Sequence, residues 1–357
     1  MTMPPWCKTI GWGLFCSASW TWCIGMFLPF ILLAQFGWPG FLAFVIPNVA
    51  GCALFGYVLT KERAQFVRTK CAALCLWFSL ATLLYQAFFA GWMLPPLCAI
   101  AVIVGGLVVA RQLGDRGWLV LALLVTVASA LAVEWWRVPG IFELPSMGTR
   151  PSESLAALVP AIALGFLACP YLDLTFHRAL ERSPSRHAFV IFGLVFGATL
   201  LCVASFYDAA TSGPRIGPAL LVLWAIQLLF TVGAHSRQGF TEARPRSRQV
   251  LVILVLLVGV ALGWLTRANP NAWWGSGDET YLRLLVLYGL IFPYFLLLRL
   301  CGVRTWLAAI AVVASIPFFE LGFMHNRTLA LFVPMGLLFV LLMSSLVNKI
   351  RTDRRPT

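Results

Sequence analysis

Twelve apolar runs, most of them about 17 to 25 residues and so long enough to cross a hydrocarbon core about 30 Å thick, follow one another through almost the whole chain. In hydrocarbon each backbone N–H and C=O must be satisfied by its own segment or a packed neighbour, so such runs fold as helices standing side by side. They lie at 13–33, 41–59, 71–92, 96–110, 118–136, 155–174, 188–207, 218–234, 250–265, 281–298, 305–323 and 329–347. The longest stretch between them, 137–154, is too short to bury a core of its own. A composition of 61% hydrophobic and 11% charged residues lies outside the range of soluble domains. The sequence thus predicts an all-α polytopic membrane protein, a single transmembrane domain over 1–357 with the lipid bilayer as its partner. The first run is not expected to be a cleaved signal, because only Lys8 precedes it and no small-residue cleavage pattern follows.

Twelve crossings put both termini on one side, and the basic residues choose the side. With the termini inside, only Arg137, Arg150, Arg215, Arg267, Arg283 and Arg327 of the 26 Lys and Arg fall in outer segments. The expectation is a cell (inner) membrane protein with cytoplasmic N- and C-termini. The formal charge of +13 is spread over short inner loops that face anionic lipid, so nucleic acid is not an expected partner. The 10 cysteines stand mostly inside apolar runs and read as small packing residues rather than a disulfide framework. His177, His187, His235 and His325 have no metal-ligand spacing. No Gly-x-x-x-x-Gly-Lys phosphate loop is present, so an energy source within the chain would be an ion gradient.

Two runs are interrupted. In "LGFLACPYLDLTFHRA", Pro170 lacks an N–H and crowds the carbonyl of Phe166, with Gly165 before it and Asp173 after it. An ionisable residue within a span is costly enough to suggest function, although Asp173, five residues before Arg178, also suits a helix end at the cytoplasmic surface. In "TWCIGMFLPFILL", Gly25 precedes Pro29 by one turn, and Pro29 lies at a depth similar to that of Pro170 but is entered from the opposite side. Helix breaks are therefore expected at Pro29 in span one and at Gly165 and Pro170 in span six. Matching breaks point to two five-helix repeats of inverted topology, 13–151 and 152–301, followed by two additional helices over 302–348 and a basic tail over 349–357.

Twelve spans, inner termini and interrupted spans one and six together resemble secondary transporters of the amino acid, polyamine and organocation superfamily, which share the leucine-transporter fold. "GWPGFLAFVIPNVAGCALFGYVL" adds a local likeness to sodium:solute symporters. The resemblance implies a site lined by spans one, three, six and eight. The residues it selects for a small solute are Trp20, Thr21, Trp22, Gly25, Tyr85, Gln86, Cys169, Tyr171 and Gln227, with Asp173 and Thr231 for ion coupling; Glu320, close to His325 and Arg327 near the outer face, is a further ion-coupling candidate read from its own surroundings. A coupling sodium ion or proton is the one cofactor-like partner expected, with no resident metal and no catalytic residues.

Further polar and small residues have structural readings. Asn48 follows Pro47 and suits the carbonyls that proline loosens, and Glu320 is expected to pair with Arg327. Gly193 with Gly197, and Gly259 with Gly263, permit close helix approach. Trp135, Trp136, Trp273 and Trp274 suit headgroup level. "TKERAQFVRTK" and "HSRQGFTEARPRSRQ" read either as interfacial helices or as solvated connectors. The leading function is a cation-coupled secondary transporter of a small solute. The alternatives are a major-facilitator-type transporter, a membrane-embedded lipid-modifying enzyme, and a non-transporting sensor or assembly subunit.

Overall fold

The computed structural model describes residues 3–135, 145–240 and 246–353. Trp136, the loop from Arg137, and the middle of the "HSRQGFTEARPRSRQ" segment lie outside the described residues. The chain is helical nearly throughout. Among the described residues nine helices are long and apolar enough to cross a membrane, and two shorter apolar helices, Pro96–Gln112 and Ala188–Ala204, accompany them. It is an all-α polytopic membrane protein.

Span one is built from α1 (Pro5–Trp20) and the first part of α2 (Cys23–Val58). As a straight rod α2 would be about 54 Å long, well beyond one crossing. It turns back at Gly37, with φ 63° and ψ −151°. A Cβ at Gly40 would sit 2.8 Å from the carbonyl oxygen of Leu32, eight residues earlier, whereas that spacing is about 12 Å in a straight helix. Glycine is required at position 37, both for the left-handed φ and because a Cβ there would meet the Pro145 carbonyl oxygen at 2.6 Å. Spans one and two are thus a hairpin with almost no loop.

Thr60 caps α3 (Lys61–Lys70), so "TKERAQFVRTK" forms a short polar helix between spans two and three. Then come α4 (Ala72–Met93), α5 (Pro96–Gln112) and α6 (Asp115–Trp135). Span six is α7 (Ser152–Ala168), a single 3-10 turn over Cys169–Tyr171, and α8 (Leu174–Arg182). After α9 (Ala188–Ala204), two antiparallel two-residue strands, β1 (Tyr207–Asp208) and β2 (Gly213–Pro214), lead to α10 (Pro218–Phe240) and α11 (Arg246–Ala268). Span ten joins α12 (Gly277–Val286) to α13 (Phe292–Leu300) through a π turn over Leu287–Ile291. The last two crossings are α14 (Thr305–Phe323) and α15 (Phe332–Asp353).

Helix packing is reciprocal between the two halves. Span three (α4) lies along span nine (α11), and span eight (α10) along span four (α5). Span one (α1) lies along span seven (α9), and span six (α7) along span two (α2). Glycines make these seams tight: a Cβ at Gly263 would meet the Phe88 carbonyl oxygen at 2.3 Å, and one at Gly259 the Cβ of Ala87 at 2.6 Å. Gly193 and Gly197 face Val49 of α2 more loosely. On the outside, Leu257, Val258, Val313 and Phe339 present apolar surface, as expected where a helix faces lipid rather than protein.

Candidate functional site

Span one is interrupted eight residues before the proline expected to break it. α1 ends at Trp20, and Thr21, with φ −75° and ψ 71°, forms an inverse γ-turn in which the Trp22 N–H donates to the Trp20 carbonyl at 2.8 Å. α2 starts at Cys23. Pro29 stands inside continuous α2, so the helix-break assignment at Pro29 is corrected. A single proline removes one hydrogen bond, which a packed membrane helix tolerates; unwinding needs partners for several freed groups at once.

Such partners gather at Thr21 and Trp22. The Thr21 hydroxyl donates to the Ser17 carbonyl at 2.8 Å, and the Trp22 indole N–H donates to the Ser19 carbonyl. The Thr231 hydroxyl of α10 donates to the Gln227 carbonyl of its own helix at 2.9 Å and lies 3.4 Å from the Ala18 carbonyl. Gln86 of α4 accepts from the Cys23 N–H at 3.3 Å, closing an otherwise open N-terminal amide of α2. The Trp20 indole N–H donates to Asn48 Oδ1 at 2.8 Å. Asn48 therefore anchors the break from span two rather than repairing the carbonyls near Pro47.

In span six the break falls where Pro170 places it. Gly165, however, belongs to continuous α7, and its role differs from the break position expected of it: a Cβ there would lie 2.1 Å from the Gly289 carbonyl oxygen in the π turn of span ten. The 3-10 turn over Cys169–Tyr171 ends the helix, and His177 Nε2 lies 2.9 Å from the Tyr171 carbonyl oxygen that the break exposes. Asp173 caps α8, with Oδ1 accepting from both the N–H and the hydroxyl of Thr175 at 2.7 Å. It is fully buried, not a surface helix end.

The two breaks adjoin. The Ser19 and Thr175 hydroxyl oxygens lie 3.1 Å apart, and the Trp20 ring packs edge-on against Phe176 at 4.8 Å. Asp173 Oδ2 faces Nε2 of His235 on α10 at 3.8 Å, and both side chains have zero exposure. That oxygen, both imidazole nitrogens and the neighbouring Ser236 hydroxyl have no protein hydrogen-bond partner. The aromatic wall around them is Trp22, 4.4 Å from both Trp20 and Tyr288, with Phe78 at 4.3 Å from Tyr288. The Trp22 ring also meets His235 edge-on at 5.6 Å.

Gln227, Gly25 and Glu320 of the sequence-selected residues stand away from the breaks, while Tyr85, Cys169 and Tyr171 lie at their edge. Gln227 donates to Ser129 of α6 at 3.0 Å, away from the break. Gly25 faces Leu200 of α9 as a packing glycine. Tyr85 packs its ring 5.2 Å from Tyr281, whose hydroxyl donates to the Cys23 carbonyl at 3.0 Å. Cys169 directs its thiol to the Tyr288 carbonyl at 3.8 Å, and Tyr171 is half-buried against Phe55. Glu320 is remote from Asp173 and accepts from Arg283 at 2.6 Å, so the expected partner Arg327 is replaced. The reason is position: Arg283 on α12 packs beside α14, while Arg327 lies past the end of α14 and its N–H donates to the Leu321 carbonyl.

His235 is the candidate site residue the sequence reading missed. The apolar run of span eight ends at 234, yet α10 continues to Phe240 and carries His235 into the core. Gln227, Thr231 and His235 recur every four residues, a polar stripe on one helix face that was there to be read.

On the side of the termini the site is sealed by ionic contacts. Asp115, at the start of α6, accepts from Arg178 of α8 and lies 3.6 Å from Arg182 and 3.8 Å from Arg237 of α10. The Arg178 guanidinium also rests 5.7 Å from the ring centres of Trp12 and Phe15 of α1. One carboxylate thus ties together the terminal halves of spans one, five, six and eight. Among the described residues no group of three or more His, Cys, Asp and Glu side chains is placed to hold a metal ion.

No family model and no curated protein matches the sequence. Among solved structures, the crystal structure of the Eremococcus coleocola manganese transporter, in complex with an aromatic bis-isothiourea substituted compound, is similar over 97% of this chain and 93% of that one. The sequence identity is 13% and the TM-score 0.44.

Proposed function

We propose that the chain is a proton-coupled secondary transporter of a small organic solute, working by alternating access around the breaks of spans one and six. The carrying observation is the buried Asp173–His235 pair, set where two interrupted helices meet, with unpartnered polar atoms facing each other. At 3.8 Å the carboxylate and imidazole lie beyond direct hydrogen-bond distance, and their Coulomb energy changes steeply with separation in a low dielectric, so approach or parting shifts the proton affinity of each. Asp173 caps the short helix α8 while His235 sits in the long helix α10, so movement of one against the other resets the proton affinity of both. With the pair resting as carboxylate and imidazolium, protonation of the Asp173 carboxylate removes the ion pair and frees α8 to swing, and the Asp115 contacts with Arg178 and Arg182 must then open.

The reciprocal packing of spans three on nine and eight on four, and of one on seven and six on two, supports two five-span halves of inverted topology over 13–151 and 152–301, with α14 and α15 as additions. It does not suit two separate six-helix bundles, in which three of these four pairs would cross between bundles. Cytoplasmic termini follow from the basic segments named above.

The test is solute accumulation in proteoliposomes under imposed proton or sodium gradients, across a panel of small organic acids, amines and amino acids. A proton gradient alone is expected to drive accumulation. Accumulation driven by sodium alone, or none for any solute, contradicts the proposal.

A further inference from the structure

On the side of the termini, a cavity of about 330 Å³ lies between the start of α3, the end of α8 and the connector into α9. Its floor is apolar, made by the buried side chains of Leu180 and Phe189. Three charges line it: Lys61 and Glu62 of α3, and Arg186 of the connector. Small-molecule sites run to about 300–1,000 Å³, so this space is small but sufficient for a phosphoryl group with a few attached atoms.

The two cations are anchored without being neutralised. Lys61 Nζ donates to the Glu181 carbonyl at the end of α8 at 3.2 Å, and the ammonium keeps further donors. The Glu181 carboxylate is itself paired with Arg68. The Arg186 guanidinium makes one long contact, 3.5 Å to the Tyr57 carbonyl, and keeps the rest of its fork. The Ser185 hydroxyl, which also lines the cavity, accepts from the His187 N–H at 3.2 Å and retains its own hydrogen to donate. Glu62 is the opposing charge. Its own N–H and the Thr60 hydroxyl, with Lys61 and Arg186 adding their charges, hold its carboxyl below the usual carboxylate range, so it stays ionised and offsets one of the two cations. The lining therefore keeps a surplus of positive charge and donors that converge from two separate elements.

We propose that this cavity binds a phosphoryl anion, its oxygens on Lys61, Arg186 and the Ser185 hydroxyl and its attached carbons over Leu180 and Phe189. A phosphodiester offers only acceptor oxygens and a single negative charge, which answers these donors and this surplus, and a guanidinium suits it better than a point charge does. The phosphate comes from a phospholipid headgroup or from a soluble phosphate ester; the recognition chemistry is the same. Because Lys61 belongs to α3 and Arg186 follows α8, an occupant joins the two elements. That occupancy slows uptake by holding α8 rests on the transporter reading; the binding does not.

The test uses the purified full chain in neutral detergent. Calorimetry compares glycerol 3-phosphate with glycerol, and native mass spectrometry compares retention of phosphatidylglycerol with that of dioleoylglycerol, which lacks the phosphate. At least one phosphate-bearing probe is expected to bind 10-fold or more above its phosphate-free analogue: glycerol 3-phosphate if the source is soluble, phosphatidylglycerol alone if it is lipid. Lys61→Gln with Arg186→Gln should remove that preference, and Lys61→Arg with Arg186→Lys should keep part of it. Arg304→Gln removes an inner-side cation outside the cavity and should change binding less than 2-fold. Thermal unfolding reports whether each variant is folded. No preference for phosphate in either pair of probes, a preference that survives in the folded double Gln variant, or an equal loss in Arg304→Gln overturns the proposal. Phosphate-dependent binding without transport of any solute would fail the transporter reading alone, and transport without such binding would fail this site alone.

Discussion

The break in span one and the break in span six do the same thing to the backbone by different means. Span one unwinds at Thr21 and Trp22 without proline or charge, and neutral groups of three other spans surround it: Gln86 takes the Cys23 N–H, Thr231 approaches the Ala18 carbonyl, and Asn48 accepts from the Trp20 indole. Span six unwinds at Pro170, and its next helix is capped by a buried carboxylate facing an imidazole. On the proposed mechanism, chemistry that depends on protonation is confined to the span-six break, and the span-one break supplies a neutral wall. Interruption alone does not mark a working site; the charge left facing an unpartnered group does.

The largest expected effect is on the charged side of this comparison. Asp173→Ala removes both the cap of α8 and the partner of His235, and a loss of about 3–5 kcal/mol is expected, read from unfolding in detergent. Asp173→Asn keeps a good cap and should keep most of the stability, yet proton-driven accumulation in proteoliposomes should fall more than 10-fold. If Asp173→Asn transports uphill like the parent, the distinction between the two breaks fails.

On the neutral side, Asn48→Leu leaves the Trp20 indole N–H buried without a partner, at a cost of about 1–3 kcal/mol in the same unfolding measurement. The pH profile of transport should keep its shape, because no titrating group is touched. A shifted profile would show that the neutral wall also governs protonation. Smallest is Pro29→Ala, which restores one helix N–H inside α2 and should change stability by about 1 kcal/mol or less without loss of transport. A large loss would return Pro29 to the role the sequence suggested.

Much of the architecture was legible in the sequence because a membrane span is a local signal. An apolar run records its own length, and the twelve runs match the observed crossings, apart from ends such as Pro5 and Phe240, where polar residues extend a helix past its greasy part. The Pro170 break was legible for the same reason, since proline acts within its own turn. The Thr21 break was not: a γ-turn there is stabilised by residues 27 to 210 positions away, and neither Thr nor Trp announces it. His235 lay hidden behind the end of an apolar run, although its four-residue spacing from Thr231 signalled a shared face. Glu320 was paired with the nearest arginine in sequence when packing chose Arg283.

The most direct measurement uses the 3.1 Å approach of the Ser19 and Thr175 oxygens. In a background without other cysteines, the S19C/T175C protein is oxidised to a disulfide, then reduced, and uptake into proteoliposomes is measured in both states. The two breaks must part for α8 to swing, so uptake is expected to stop on oxidation and return on reduction. Uptake that continues with the disulfide intact would mean that spans one and six stay together throughout, and alternating access around them would be wrong.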